Sequence, residues 1–479
     1  MIDTFAIRSK IVDLALSGKI SDQHRNEYVG FEHQSSKKWA DVTDDEKYFE
    51  IPDNWKYVRV GEVTTINPKN NLDDTMDISF IPMACVKDGF SNSHTSEIKR
   101  WGQVKKGFSH FAEGDIGVAK ITPCFQNRKS VIFKNLNNGY GAGTTEFIIV
   151  RPIESIVCAK FLLLFFQSAF FINKGIESFT GVVGQQRIHK DYLKKSPLPL
   201  PPIQEQIRIV DKVSSAFELL DIIDELQYEY LCNMEVLKGK LIDAGIQGKL
   251  TKQFSEDGNT ENLYEEIRAE KAKLVKECKI KKEKALPKIP EDEIPFDIPS
   301  NWKWVRLGEV SWFQGGYAFK SNLYVEDSDN QVIRLGNVKQ NALLLEARPV
   351  FISDELAKEV EDYRIRENDI LITMTGTRRK KDYFYAKCVE QSDLQGKKLY
   401  LNQRVGCIRV IDGVYPQFLV IALQNTEIRK IIFERETGAV NQGNLGSEDI
   451  KKFVYIPLPP YPEQVRITDK INELIGIMN

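Results

Sequence analysis

The chain repeats itself, and the order of its repeats constrains the fold more than any other feature. FEIPDNWKYVRVGEV begins at Phe49 and FDIPSNWKWVRLGEV at Phe296, 247 residues later, with the Ile-Pro, Asn-Trp-Lys, Val-Arg and Gly-Glu-Val pieces preserved. PLPPIQEQIRIVDKV from Pro199 matches PLPPYPEQVRITDKI from Pro457, 258 residues later. Two units of about 150 residues are therefore bracketed by one opening and one closing phrase, a size that suits one domain each. A third pair links the ends to the middle: SKIVDLALSGKISDQ from Ser9 resembles GKLIDAGIQGKLTKQ from Gly239. The N-terminus copies the end of the central segment, and the C-terminus copies its beginning. Written as a ring, the chain reads unit, connector, unit, connector. The second connector is cut open to make the termini, which are expected to meet.

The central connector reads as a helix. Pro201-Pro202 suits a helix start, Glu205 an acidic first turn, and apolar residues then recur every three or four positions. Val213, Phe217, Leu220, Ile223, Leu226, Tyr230, Met234, Leu237 and Leu241 form the stripe, and Gly245 and Gly248 are its stops. From Ile203 to Ala244 the helix would be on the order of 60 Å long. Such a stripe needs cover. Val465, Ile467 and Ile471 with Ile7, Ile11 and Leu14 can supply it, as an antiparallel pair or small bundle. The C-terminal copy lacks a counterpart of residues 222–230, so the second helix can be broken. The Lys/Glu-rich stretch that follows, EEIRAEKAKLVKECKIKKEKALPKIPEDEIP, predicts a solvated helix and an extended linker.

Composition narrows the function classes. The apolar run FLLLFFQSAFF at 161–171 is broken by Gln167 and Ser168 and is about half of a membrane span, so it reads as a buried helix. No secretory signal pattern opens the chain, and a cytoplasmic location is expected. Seven cysteines and five histidines are scattered without metal or disulfide spacing. The formal net charge of −2 means that nucleic-acid contact must come from local basic patches. No G-x-x-x-x-G-K-[ST] phosphate loop occurs, and the double prolines lack the Asn/Asp-Pro-Pro-aromatic setting an amino-methyltransferase uses.

The three repeated phrases in circular order resemble the specificity subunits of type I restriction–modification enzymes, over essentially the whole chain. The resemblance implies an α/β (α+β) fold of two target-recognition domains joined by long antiparallel helical connectors with pseudo-two-fold order. It divides the chain into an N-terminal connector piece (1–25), a first recognition domain (40–200), a central connector (201–285), a second recognition domain (286–458, its linker 286–295) and a C-terminal connector (459–479). It implies a subunit without catalysis that reads a split double-stranded DNA site, with half-sites one to two helical turns apart. Two methyltransferase subunits would modify adenine N6 and restriction/translocase subunits would cut. S-adenosylmethionine, ATP and Mg would be bound by those partners, with no cofactor or metal on this chain. A subunit serving a methyltransferase-only or other phage-defence complex, a stand-alone metal-dependent nuclease and a coiled-coil scaffold remain alternatives.

Base edges are read by Arg, Lys, Asn and Gln, while hydroxyls, lysines and backbone amides hold phosphates. In the first unit, EGDIGVAKITPCFQNRKSVIF places Lys120, Thr122, Gln126, Asn127, Arg128 and Lys129 after a strand. Its counterpart ENDILITMTGTRRKKDYFY, aligned through Asp115 and Asp369, places Thr375, Thr377, Arg378, Arg379, Lys380 and Lys381. A second aligned pair, TGVVGQQRI and TGAVNQGNL, supplies Gln185, Gln186 and Arg187, and Asn441, Gln442 and Asn444. Gln314, Tyr317, Phe319 and Lys320 at the Gly-Gly turn, with Asn402, Gln403 and Arg404, complete the candidates.

Overall fold

The computed structural model describes residues 1–20, 39–182, 184–394, 396–439 and 441–478. Residues 21–25 of the expected N-terminal connector piece lie outside them, as do Val183 and Val440 in the paired Thr-Gly phrases. The chain forms two compact units, 1–229 and 230–479. Each combines helices with small sheets, the α/β (α+β) composition expected.

The first unit begins with α1 (Thr4–Leu16). The strands used below are β1 (Lys56–Arg59), β2 (Thr64–Ile66), β3 (Ile116–Ala119), β4 (Ser130–Ile132), β5 (Phe147–Pro152) and β6 (Pro197–Leu200). Opening and closing phrases are one structure: β1 pairs antiparallel with β6, Lys56 facing Leu200 and Arg59 facing Pro197. Between them lies a four-stranded sheet in the order β2-β5-β3-β4. A second four-stranded sheet is built from Glu97–Arg100, Asp77–Ile81, Tyr140–Gly143 and Ser109–Ala112. The apolar run expected as one buried helix is two, α2 (Ala159–Gln167) and α3 (Ala169–Glu177), bent by 54°. Ser168 takes an extended conformation between them and its hydroxyl accepts from the Phe171 N–H at 3.2 Å, so it caps α3 instead of continuing α2. Both helices pack into the core through Phe161, Phe165, Phe166 and Phe171. Among the described residues no single helix is long and apolar enough to cross a membrane.

The connector helix α4 (Ile203–Ile246) is 44 residues long, about 66 Å at 1.5 Å per residue. In the first unit α1 runs antiparallel along its beginning. Arg8 bridges Asp221 at 2.6 Å and Asp224 at 2.8 Å, and Gln227 donates to the Ile2 carbonyl at 3.2 Å. The repeated Glu-Gln of the closing phrase is a buried key. Gln206, fully buried, accepts from the Cys158 N–H at 2.7 Å and donates to the carbonyls of Ile156 and Pro201. Neighbouring Glu205 is also buried and accepts from Asn54 of the opening phrase at 3.1 Å.

The second unit repeats this frame. Its helices include α5 (Thr260–Lys276) and α6 (Tyr461–Met478). Its strands include β7 (Lys303–Arg306), β8 (Ser311–Gly315), β9 (Ile370–Thr373), β10 (Thr375–Gly376), β11 (Ala386–Cys388), β12 (Val405–Val410), β13 (Gly443–Asn444) and β14 (Tyr455–Leu458). β7 pairs with β14 in the register of the first unit, Lys303 facing Leu458. The main sheet runs β8-β12-β9-β11. Gln464 accepts from the Tyr415 N–H at 2.8 Å and donates to Gly413 and Pro459, and Glu463 accepts from the Trp302 indole at 2.9 Å. α6 packs on the end of α4, where Ile467 and Ile471 join Ile242 and Ile246, and Tyr230 donates to the Met478 carbonyl. Each end of the chain thus closes on α4 within its own unit.

Two expectations need correction. The α4 stripe is covered only towards its ends: Val213 and Leu220 are buried, but Leu226, Tyr230 and Leu237 are exposed. α1 and α6 have 13 and 18 residues against 44, too few to cover its length. The helix expected to be solvated, α5, buries one face: Ile267 is fully buried in the second core, and Lys271 donates to the Ser311 carbonyl at 2.9 Å.

Candidate nucleic-acid interface

In both units the candidate loops gather at one end of the main sheet because strand direction puts them there. β3 and β9 start with the same device. Asp115 accepts from the Ala112 N–H at 2.7 Å and pairs with Arg151, and Asp369 accepts from the Arg366 N–H at 2.9 Å and pairs with Arg409. Each carboxylate fixes where its strand begins, and so where the loop after the strand emerges.

In the first unit β3 ends at Ala119 opposite Phe147, and Lys120 donates its N–H to the Glu146 carbonyl at 2.9 Å. The two loops singled out from sequence are tied together. Thr122 and Gln186 exchange a backbone bond of 2.9 Å and a hydroxyl bond of 3.1 Å, and Ile188 donates to the Lys120 carbonyl at 3.0 Å. Arg187 is bidentate on Glu146, both bonds 3.0 Å, and this pairing holds the Glu146 carboxyl below the usual carboxylate range. Asn127 and Gln185 are exposed, and Lys120, Gln126 and Gln186 are half-buried. Arg128 turns inward instead: it donates to the Gln167 carbonyl at 2.8 Å and lies 4.9 Å from the Phe5 ring and 5.3 Å from Phe90. Burial lowers its pKa. Lys129 reaches the Met83 carbonyl at 3.5 Å.

At the same sheet end lies a cleft of about 530 Å³ lined by Lys69, His110, Lys120, Arg187, His189 and Lys190. Lys69, His110, His189 and Lys190 were missed from sequence. The signal for Lys69 was available: Asn67–Lys69 follows β2 at the 247-residue spacing from Gln314–Gly316, so the Gly-Gly turn had a counterpart. His189 and Lys190 directly follow the Thr-Gly phrase and carry no signal beyond that adjacency.

In the second unit all the candidate segments converge. Tyr317 donates its N–H to the Leu401 carbonyl at 2.8 Å, and Gln403 donates to Tyr317 at 2.9 Å. Gly316 is required there, because a Cβ would overlap the Asn402 backbone. The Tyr317 ring packs 5.0 Å from Phe319 and 5.3 Å from Tyr363, and Gln314 accepts from Arg409 at 2.7 Å. Lys320, Gln403 and Arg404 are exposed, whereas Asn402 is buried. Beyond β9, Thr375 faces Asn444 and Gly376 faces Gly443 in the β10–β13 ribbon. Thr377 donates to Asp382 at 2.7 Å, opening a tight turn.

The cations of that turn divide into two pairs. Arg378 meets Glu436 at 3.2 Å and the Gly438 carbonyl at 3.2 Å, and Lys381 meets Glu436 at 2.6 Å. Arg379 and Lys380 are exposed and make no side-chain hydrogen bond or ion pair among the described residues, although the Thr377 N–H and, in smaller part, the Lys380 charge hold the Asp382 carboxyl below its usual range. Burial pushes the Glu436 carboxyl up, but hydrogen bonds from Lys381 and Tyr383 and the nearby Lys381 and Arg378 charges outweigh it, leaving the group below the usual range. Asn441 and Gln442 stand exposed beside them.

A sheet end carrying unpaired cations and amides can bind an anionic, hydrogen-bonding polymer. The chain matches the family model described as type I restriction modification DNA specificity domain twice, over residues 52–229 and 299–479. It is 33% identical to the type I restriction enzyme EcoAI specificity subunit of Escherichia coli, over 100% of this chain and 90% of the relative. The type I restriction enzyme EcoEI specificity subunit of Escherichia coli is 29% identical, over 99% of this chain and 90% of that one. A solved chain from a study of complex assembly and conformational transition of the type I R-M system superposes with a TM-score of 0.62 at 18% identity, covering 90% of this chain and 92% of that one. The doubled opening and closing frames, the candidate loops at each sheet end and these matches together show that the chain belongs to the type I restriction–modification DNA specificity family.

Proposed function

We propose that each unit reads one half of a split double-stranded DNA site with the loops at its sheet end, and that partner subunits carry out the chemistry. The observation that carries this reading is the shared frame with different contents. Lys120–Lys129 and Thr375–Lys381 leave equivalent strands, and each is tied by backbone bonds to the Thr-Gly loop of its unit, yet they present different side chains. Arg379, Lys380, Gln403, Arg404, Asn441 and Gln442 are the exposed readers in the second unit, and Lys69, Lys120, Asn127 and Gln185 lead in the first.

The exposed face of α4 supports docking of methyltransferase subunits, which would bind S-adenosylmethionine and methylate adenine N6 in a flipped base. Restriction subunits would supply ATP hydrolysis and Mg. No step of that chemistry is assigned to this chain.

Methylation sequencing of a host expressing the chain with its methyltransferase subunit tests the reading. A split N6-methyladenine motif that appears only with this chain, and loses definition in one half with R379A/K380A, is the expected result. No new motif in the presence of an active methyltransferase would overturn it.

A further inference from the structure

Four successive cations, Arg378 to Lys381, follow β10. Left mobile, four such side chains would bind phosphates wherever they met them, which gives affinity without sequence information. The fold does not leave them mobile. Backbone bonds from Lys380 and Lys381 to the Thr377 carbonyl, 3.1 and 2.9 Å, close the turn. The first and last of the four cations are then drawn onto one carboxylate whose side chain is only 3% exposed.

That carboxylate, Glu436, sits on a built platform. Its other oxygen accepts from the hydroxyl of Tyr383, itself fully buried. The β10–β13 ribbon crosses above at two glycines, and a Cβ at Gly376 would strike Tyr383 while one at Gly443 would strike both Tyr383 and Glu436. Nothing larger fits between the ribbon and the pair. The first unit ties its loops with an acid as well, but at a different place: Glu146, just before β5, clamps Arg187 of the Thr-Gly loop. Loops of different sequence in one frame are each tethered by a carboxylate suited to that loop.

We propose that Glu436 is a positioning residue for specificity in the second half-site. By holding Arg378 and Lys381 back, it sets which cations face DNA and fixes the direction in which Arg379 and Lys380 point. This rests on the reading that the sheet-end loops contact DNA. Arg378, singled out from sequence as a reader, is on this account part of the mount.

The test uses the complex of the full chain with its methyltransferase subunits, carrying R379A, E436Q or R378A/K381A. The readouts are methylation at all genomic sites, DNA affinity across a salt series, and complex melting. R379A and E436Q are expected to loosen the same half of the motif. E436Q should raise methylation at sites with one mismatch in that half by about tenfold, within the range one base pair commonly supplies, and leave the other half unchanged. Freed from Glu436, Arg378 and Lys381 become available to phosphates, so the salt dependence should steepen by roughly one to two counterions, which a purely structural role would not produce.

A motif and salt slope unchanged by E436Q, while R379A loosens its half, overturns the proposal and leaves the reading surface standing. No change with either variant overturns both. Should E436Q lower the melting temperature and abolish methylation everywhere, R378A/K381A settles the matter, since those side chains are about 40% exposed and can be removed without opening the core. Loosening of the same half supports the proposal, and an intact motif overturns it.

Discussion

Gln206 and Gln464 each satisfy three backbone groups, so their replacement reaches beyond one side chain. Q206L should strand the Cys158 N–H and the carbonyls of Ile156 and Pro201, at a cost of about 3 kcal/mol, measurable by chemical denaturation. A second residue-scale test is pH. The Arg59 guanidinium holds the Glu46 carboxyl down to about 2. Stability from that pair is complete above the ordinary carboxylate pKa of about 4.3 and is lost as pH falls through about 2. E46Q is therefore expected to melt below the parent at pH 7, with the gap closing towards pH 2. At this scale the sequence was only partly legible. It showed that Arg128, Arg187, Arg378 and Arg379 lie in loops after strands, but not which were committed internally, because Gln167, Glu146 and Glu436 come from distant segments.

Among the elements, α4 was the most legible, since periodicity and the Pro-Pro start are local signals. Of its two expected stops, Gly245 lies inside the helix, which runs to Ile246, and Gly248 makes the turn. A side chain at Gly245 would meet Ile471 of α6, and Gly248 has φ of +70°. A Cβ at Gly248 would also enter the Pro299 ring, so G248A should destabilise the second unit by about 2 kcal/mol or more in a melting experiment. The break at Ser168 and the buried face of α5 were not legible, because both depend on what packs opposite. Ile222 and Leu226, four residues apart on α4, are 52% and 58% exposed. I222D/L226D should leave the chain's own melting within about 0.5 kcal/mol while reducing co-purification of the methyltransferase subunit.

For the molecule as a whole, the circular repeat was the legible part, and the two units carry it out in matching detail. β1 meets β6 in the register in which β7 meets β14, and Gly18 turns against Pro52 and Trp55 as Gly248 turns against Pro299 and Trp302. The sheet orders themselves were not readable, since strand pairing over such separations leaves no local trace. The matching frames predict that residues 307–454 can replace residues 60–196 within β1 and β6. Methylation sequencing should then show a motif whose two halves are alike, and retention of the original first half would contradict the division of reading between units. Gln206 and Gln464 hydrogen-bond main-chain atoms of the units they lock, at Ile156 and Cys158 in one and Gly413 and Tyr415 in the other. Hydrogen bonds made to main-chain atoms place little demand on which side chains the insert carries. On the proposed reading, a frame locked in this way would let one whole reader be exchanged for another in a single event, with the apparatus that acts on its vocabulary unchanged.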